Sequence, residues 1–307
     1  MLSKTGSRAP KDQLRSISMK IAIITDIHHG PQSHTKEAGW DGLPVVRQFI
    51  DRAIERNVDL VLDLGDHISD TTHEKDYRFA SELAAIFSTF RGKRVHVLGN
   101  HDVNNLSIAD NEAIFGQSMQ SSVHDLGEFR LIAWQPDVKI DMETGFNSTG
   151  AHLEWLVEAL KADERPAIIA THVPLSGHSQ IGNYYFERNA GYSTYPDHAA
   201  VRKAVEENGN AALWLSGHVH WNTITNVGNI QHVTIQSLSE RFTTMPLTAA
   251  AYADLEIKDG ELTIDVHGND PFHVRVPFRK SGERPWVAPM QPFSEIDWAE
   301  RRKQVRA

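Results

Sequence analysis

Cysteine is absent from this chain of 307 residues. That absence excludes disulfides, thiolate metal sites and a cysteine nucleophile, and it suits a reducing compartment. Long apolar runs are missing as well. None approaches the ~18 residues that a membrane helix needs. Residues 1–18 are polar and mixed in charge, without the apolar stretch of a signal peptide, and read as a loose leader or a late translation start. A cytoplasmic protein that stays off the membrane is the expectation. A basic excess is lacking too: the formal net charge is −9 with His counted neutral. Such a balance argues against nonspecific nucleic-acid binding. It leaves a small phosphate ester open, because bound metal ions reverse the local sign. No internal repeat and no break in composition divides the chain.

Hydrophobic residues make up 40% of the chain, enough for a sizeable core. Apolar runs at 21–24, 60–64, 95–98, 130–134, 167–170 and 211–215 are short and stop at Gly, Asp, Asn or His, so they predict buried strands. Helical spacing fills the intervals at 45–57, 75–90, 152–160 and 199–207. Strand–helix alternation implies an α/β architecture with its sheet covered by helices. Past residue 221 the pattern turns to strands at 223–227, 231–236, 250–257 and 261–266, with Lys258-Asp259-Gly260 as a hairpin turn; these predict antiparallel strands in a second sheet. The reading is one domain over 19–276 and a C-terminal tail over 277–307. The tail is expected to pack Trp286, Phe293 or Trp298 on the body, or to clasp a second copy in a homodimer.

There are seventeen histidines, and most histidines are surface or core residues rather than ligands, so their placement carries the weight. Five short blocks each follow an apolar run: Asp26-Ile27-His28, Gly65-Asp66, Gly99-Asn100-His101-Asp102, Thr171-His172 and Gly217-His218-Val219-His220. Alternation on a strand end sends Asp26 and His28 to one side, and likewise His218 and His220. Taken singly, the blocks have plain explanations; Asp66, for example, could cap a helix. Together they collect Asp26, His28, Asp66, Asn100, His172, His218 and His220 at strand ends, where α/β proteins bind ligands. A carboxylate can bridge two cations while imidazoles and an amide carbonyl complete each shell. Mixed nitrogen and oxygen donors favour Mn, Fe or Zn over Ca or Mg. Two divalent or trivalent ions and a hydrolytic reaction are the expectation.

In type, order and spacing these five blocks resemble the calcineurin-like metallophosphoesterase family, over residues 19–221. The Asp-x-His, Asn-His and Gly-His-x-His combination is most similar to its bacterial phosphodiesterase branch, including class III cyclic-nucleotide phosphodiesterases. The resemblance implies a four-layer α/β/β/α sandwich with two mixed β-sheets. It also implies that Asp26, His28 and His220 hold one metal, that Asn100, His172 and His218 hold the other, and that Asp66 bridges them. His101 then matches the residue that stabilises the transition state or protonates the leaving oxygen. One departure stands out: Ser69 occupies the place, three residues after Asp66, where the family has an acid or amide. Asp70 and Asp102 are left as alternatives for orienting His101. His29 and His67, beside ligands, are read as solvated unless they touch substrate or support a ligand.

The expected reaction is hydrolysis of a small phosphodiester by a metal-bridging hydroxide, with Asp66 and His101 as the catalytic pair. The alternatives are a nucleotide pyrophosphatase or phosphomonoesterase on the same scaffold, and a metal-stabilised binding scaffold without activity. No Gly-Asp-x-x-Asp-Arg-Gly or Gly-Asn-His-Glu pattern points to a protein phosphatase. Residues 175–196 are long and aromatic for a simple connection and can cover a base or sugar. Asn104, Asn105 and Arg241 are further candidates for substrate contact.

Overall fold

The computed structural model describes residues 18–31, 35–283, 287 and 289–304. The chain runs β1 (Ser18–Ile24), α1 (Leu43–Glu55), β2 (Leu60–Asp63), α2 (His73–Phe87), β3 (Lys93–His96), α3 (Ile108–Phe115), β4 (Ser122–Leu126) and β5 (Phe129–Ala133). A small hairpin, β6 (Ile140–Asp141) and β7 (Gly145–Phe146), leads into α4 (Ala151–Lys161), β8 (Ala167–Ala170), α5 (His198–Asn208) and β9 (Ala211–Ser216). Then follow β10 (Thr223–Val227), β11 (Ile230–Thr234), β12 (Tyr252–Lys258), β13 (Glu261–His267), β14 (Phe272–Pro277) and α6 (Trp298–Gln304). No helix among the described residues is long and apolar enough to cross a membrane.

Two six-stranded mixed sheets form, in the orders β14-β13-β12-β1-β2-β3 and β10-β11-β9-β8-β5-β4. Strand alternation produces the layers. In β1, Ile21 and Ile23 enter the core between the sheets, where Leu62, Leu131, Ile168, Leu213 and Leu255 meet them. Ala22 and Ile24 point the other way, into a cluster with Phe49 and Ile50 of α1 and Leu83 of α2. In the second sheet, Ile169 and Trp214 turn outward into the cluster that holds Leu156 of α4 and Val201 of α5. Both faces of each central strand are therefore apolar, as parallel strands buried on two sides require. The result is the expected α/β/β/α sandwich. Each fully buried Ile or Leu contributes ~1.5–3 kcal/mol.

The strands after residue 221 do not all join a second sheet. Strands β10 and β11 extend the second sheet beside β9, whereas β12, β13 and β14 extend the first beside β1. Strand β11 also runs parallel to β9 rather than antiparallel. Turn chemistry and alternation mark a hairpin but do not say which sheet edge receives it. The tail starts on the body, with Phe278 buried and packed edge-on against Phe129. Farther along, Phe293 and Trp298 pack on each other and remain 69% and 43% exposed, so the expected docking of these rings does not occur. Trp286 lies outside the described residues.

Candidate metal centre

All five blocks follow strands that run parallel within their sheets: β1, β2 and β3 in one, β8 and β9 in the other. Their C-terminal ends converge on one edge, and short backbone bonds bind the loops together. Asp26 N–H donates to Gly65 O at 2.9 Å, His28 N–H to Asp66 O at 3.0 Å, and Gly217 N–H to His172 O at 2.9 Å. His218 N–H reaches from the second sheet to Asp26 Oδ2 at 3.0 Å.

The turns are tight. Asp26, His28, Asp66, His218 and His220 all have positive φ, between 47° and 67°. Side-chain-bearing residues adopt that region at a cost of ~1 kcal/mol or more each, and here the cost falls on five candidate ligands. The neighbouring glycines have a steric reason. A Cβ on Gly99 would overlap the carboxylate of Asp66, and one on Gly217 would overlap Thr25 and Asp26.

Two groups of donor atoms result. Asp26, His28, Asp66 and His220 place ligand atoms within 4.8 Å of one another, and so do Asp66, His172 and His218. Asp66 belongs to both. His28 Nε2 lies 3.1 Å from His220 Nε2 and 3.7 Å from Asp66 Oδ2, and His220 Nε2 lies 3.2 Å from Asp26 Oδ1. His172 Nε2 faces Asp66 Oδ2 at 3.3 Å without the alignment of a hydrogen bond. The amide oxygen of Asn100 is buried and has no hydrogen-bond partner among the described residues.

Outer contacts select the nitrogen each ring presents. His172 Nδ1–H donates to Leu64 O at 2.8 Å, leaving Nε2 to face Asp66. His218 Nε2–H donates to Tyr192 O at 2.8 Å, leaving Nδ1. Burial holds His28 well below the usual imidazole range and His218 down to about 3, so both are neutral donors. Burial also presses on His172, but the Asp66 carboxylate outweighs it and raises this group to about 9. Crowded lone pairs, an orphaned amide oxygen and a shared carboxylate fit a pair of cations better than they fit one another.

His101 stands at the rim. Its N–H donates to Asp66 Oδ1 at 2.9 Å, its ring packs edge-on to His28, and its Nδ1 bonds Asp70. Asp70 also accepts from Asn104 Nδ2 at 2.8 Å. Burial favours neutral His101, but Asp66 and Asp70 prevail and raise it to about 9. Asp102 ties the turns together instead, accepting the backbone N–H groups of Gly99, Asp66 and His67 at 2.8, 2.9 and 2.8 Å.

The two extra histidines are not solvated. His67 is fully buried, with Nε2 2.6 Å from Asp63 Oδ2 and Nδ1 2.9 Å from Asp102 Oδ2, the second contact close but not aligned as a hydrogen bond. Burial alone would strip its proton; Asp102 and Asp63 together raise it well above the usual range. His29 pairs with Glu82 at 2.7 Å.

A cavity of about 840 Å³ opens over the cluster. His28, Asp66, Asn100, His101, His218 and His220 line its floor, and Tyr185, Phe186, Tyr192, Ile140 and Met142 supply an apolar wall. That wall comes from residues 175–196 and the β6–β7 hairpin, joined by a bond from Tyr192 OH to Met142 O at 2.8 Å. The segment is anchored, since Asn183 Nδ2 donates to Val219 O at 2.8 Å and Tyr195 is fully buried. A separate cavity of about 310 Å³ near Leu106 and Met119 holds none of these groups.

Two charged lining residues escaped sequence reasoning. Lys36 is buried, and its Nζ donates to His28 O at 2.5 Å, Ser69 Oγ at 2.7 Å and Pro31 O at 3.4 Å. Burial lowers its ammonium to about 8. Ser69, the family departure, thus anchors a lysine. The other is Glu240. It follows β11 in the run Gln236-Ser237-Leu238-Ser239-Glu240, a polar stretch after an apolar strand like the five blocks, and that likeness was the available signal. Asn104 lines the cavity, whereas Asn105 binds Asp76 and Arg241 is not among the lining residues.

The family model described as Calcineurin-like phosphoesterase matches residues 19–222. No curated protein matches the chain. Among solved structures, a dimetal phosphatase from Danio rerio is similar at 14% identity with a TM-score of 0.65, covering 85% of this chain and 99% of that one. A purple acid phosphatase from yellow lupin (Lupinus luteus) seeds aligns at 14% identity with a TM-score of 0.58, covering 91% of this chain and 57% of that one. At such identities the two structures speak for the fold. The family match across residues 19–222, laid on this fold and this cluster, shows that the chain belongs to the calcineurin-like phosphoesterases.

Proposed function

We propose that the chain is a dinuclear-metal phosphodiesterase for a small organic phosphodiester, of the bacterial phosphodiesterase type that its motifs resemble. Asp26, His28 and His220 would hold one ion and Asn100, His172 and His218 the other, with Asp66 available to both. When bound, the pair supplies Lewis acidity to the phosphoryl oxygens and an acidified water as nucleophile. Manganese, iron and zinc suit the donor set. The outer bonds of His172 and His218 keep the rings aimed. Protonated His101, turned by Asp70, gives its proton to the departing oxygen. The anchored aromatic wall takes the organic arms and keeps water from the reacting phosphorus.

The charge balance of the cavity carries the preference for a diester. Lys36 is the one lysine or arginine among the lining residues, and its ammonium is turned onto His28 O, Ser69 Oγ and Pro31 O. Glu240 adds negative charge beyond the cluster, while the Asp70 carboxylate is taken up by protonated His101. A monoester brings about two charges near neutrality and a diester one, so this lining penalises the monoester. The test is hydrolysis by metal-depleted protein resupplied with Mn²⁺, comparing a bis-aryl phosphodiester with the matching monoester. A strong diester preference is the expected result. Monoester preference sinks the reading and promotes a phosphomonoesterase. Inactivity on both with two ions bound points to a pyrophosphate or to a binding role.

A further inference from the structure

The cavity contains a carboxylate that none of these steps uses. Glu240 is 4% exposed and lines the pocket. Its backbone is fixed on both sides: the N–H donates to Ser237 Oγ at 3.3 Å, and the carbonyl accepts from Ala249 N–H at 2.8 Å. Among the described residues, its Oε2 has no hydrogen-bond partner. Lys36 acts on Glu240 through space, but its ammonium donates its hydrogen bonds to three other oxygens. Tyr185, packed edge-on against both His220 and Phe242, lines the same cavity as the acid.

A buried carboxylate with an unpaired oxygen is costly unless a partner arrives. Its chemistry restricts that partner. An ionised carboxylate only accepts hydrogen bonds. It repels phosphoryl oxygens, so it is not a phosphate subsite. What it fits is an N–H or O–H donor carried by the rest of the substrate.

We propose that Glu240 is a specificity residue that reads a hydrogen-bond donor, a hydroxyl or an ammonium, on an organic arm of the diester. The inference rests on the phosphodiesterase reading and adds the class of substrate to it: an alcohol or amine arm, not a plain alkyl one.

Three 4-nitrophenyl phosphodiesters with the same leaving group decide it, their second arms being ethyl, 2,3-dihydroxypropyl and 2-aminoethyl. Mn²⁺-loaded protein is assayed with nonenzymatic cleavage subtracted and metal content measured in each preparation. The readout is the ratio of kcat/KM for each donor arm to that for ethyl, which cancels any general loss of active protein. The unsubstituted protein is expected to favour a donor arm by roughly 10- to 100-fold. Glu240→Gln still accepts but has no charge, so it keeps a dihydroxypropyl preference and loses an aminoethyl one. Glu240→Leu loses both. The two variants thereby tell a hydroxyl substrate from an ammonium substrate. Ratios near one with all three esters hydrolysed overturn the role of Glu240 and leave the diester reading standing. Unchanged ratios in Glu240→Leu, or loss of metal in Glu240→Gln, also overturn it. If none of the esters turns over while 4-nitrophenyl phosphate does, the diester reading falls and this one with it.

Discussion

His101 shows what the sequence discloses about a single residue and what it withholds. Its place after Asn100 makes it the candidate acid, but the choice between Asp70 and Asp102 as its partner needs three dimensions. Asp102 is spent on three backbone N–H groups of the Asp66 and Gly99 turns, and Asp70 takes the imidazole. His67 misled for the same reason. A polar residue beside a ligand reads as exposed, yet Asp63 and Asp102 close around it in the core. The seven candidate ligands were legible because each ends an apolar run, and the structure brings all seven to one edge. Lys36 was not, because it belongs to no such block, and Glu240 was passed over although it follows β11 in a polar run of the same kind. The roles of His101 and Asp70 yield a residue-scale prediction. His101→Ala is expected to lower kcat by about 10²- to 10⁴-fold, with both ions retained by elemental analysis. Asp70→Asn leaves the imidazole in place without its carboxylate, and a drop of roughly 10- to 100-fold is expected. A near-normal kcat in His101→Ala with both metals present would remove it from the mechanism.

At the scale of elements, strands β1, β2, β3, β5, β8 and β9 and helices α1, α2, α4 and α5 were legible from period alone, with ends that shift by a turn or less, whereas the short helix α3 was not. Strand β3 shows the limit: the predicted run at 95–98 covers its end and the loop beyond, while Lys93 and Arg94 open the strand despite their charge. Strands β4 and β14 were missed, since both lie at sheet edges with exposed polar residues and weak apolar signal. The join between α1 and β12 was equally invisible. Asp254, in β12, is buried and accepts Arg52 Nη2 at 2.6 Å, Arg56 Nη1 and His267 Nε2 at 2.7 Å. Burial alone would raise this carboxyl, but Arg52, Arg56 and His267 outweigh it and hold it below its ordinary value of 3.8. A depressed carboxyl stabilises the fold above its unfolded pKa, and that contribution disappears as pH falls through the lower folded value. Asp254→Asn is therefore expected to cost roughly 1–3 kcal/mol near pH 6, toward the lower end because both arginines are partly exposed. The gap between the two proteins should close below pH 3.8. Urea unfolding at several pH values measures it, and a gap that persists at low pH would mean that packing, not charge, accounts for the loss.

On the scale of the whole molecule, the proposed ions do more than chemistry. Asp26, His28, Asp66 and Asn100 come from loops of the first sheet, and His172, His218 and His220 from loops of the second. The ion pair is thus a cross-link between the two sheets at one edge. Without it, the edge keeps buried carboxylates, crowded imidazoles and an amide oxygen with no hydrogen-bond partner among the described residues, and five of the seven candidate ligands sit at positive φ. Binding to the folded state alone stabilises it by about 2.7 kcal/mol at a hundredfold excess of free ion over Kd. At ~2 °C per kcal/mol for a chain this large, Mn²⁺ should raise the Tm of metal-depleted protein by about 5 °C or more. The gain should also be local. Amide exchange should slow most in the loops at 25–30, 65–70, 99–103, 171–173 and 217–221, and little at β13 and β14, which lie at the far side of the first sheet. His172→Ala removes a donor of the second cluster and should blunt both effects. Uniform slowing across both sheets would mean that the ions act on global stability alone. No change on adding Mn²⁺, Fe²⁺ or Zn²⁺ would contradict the metal assignment itself, since a site this crowded cannot take up two ions without a response in the fold.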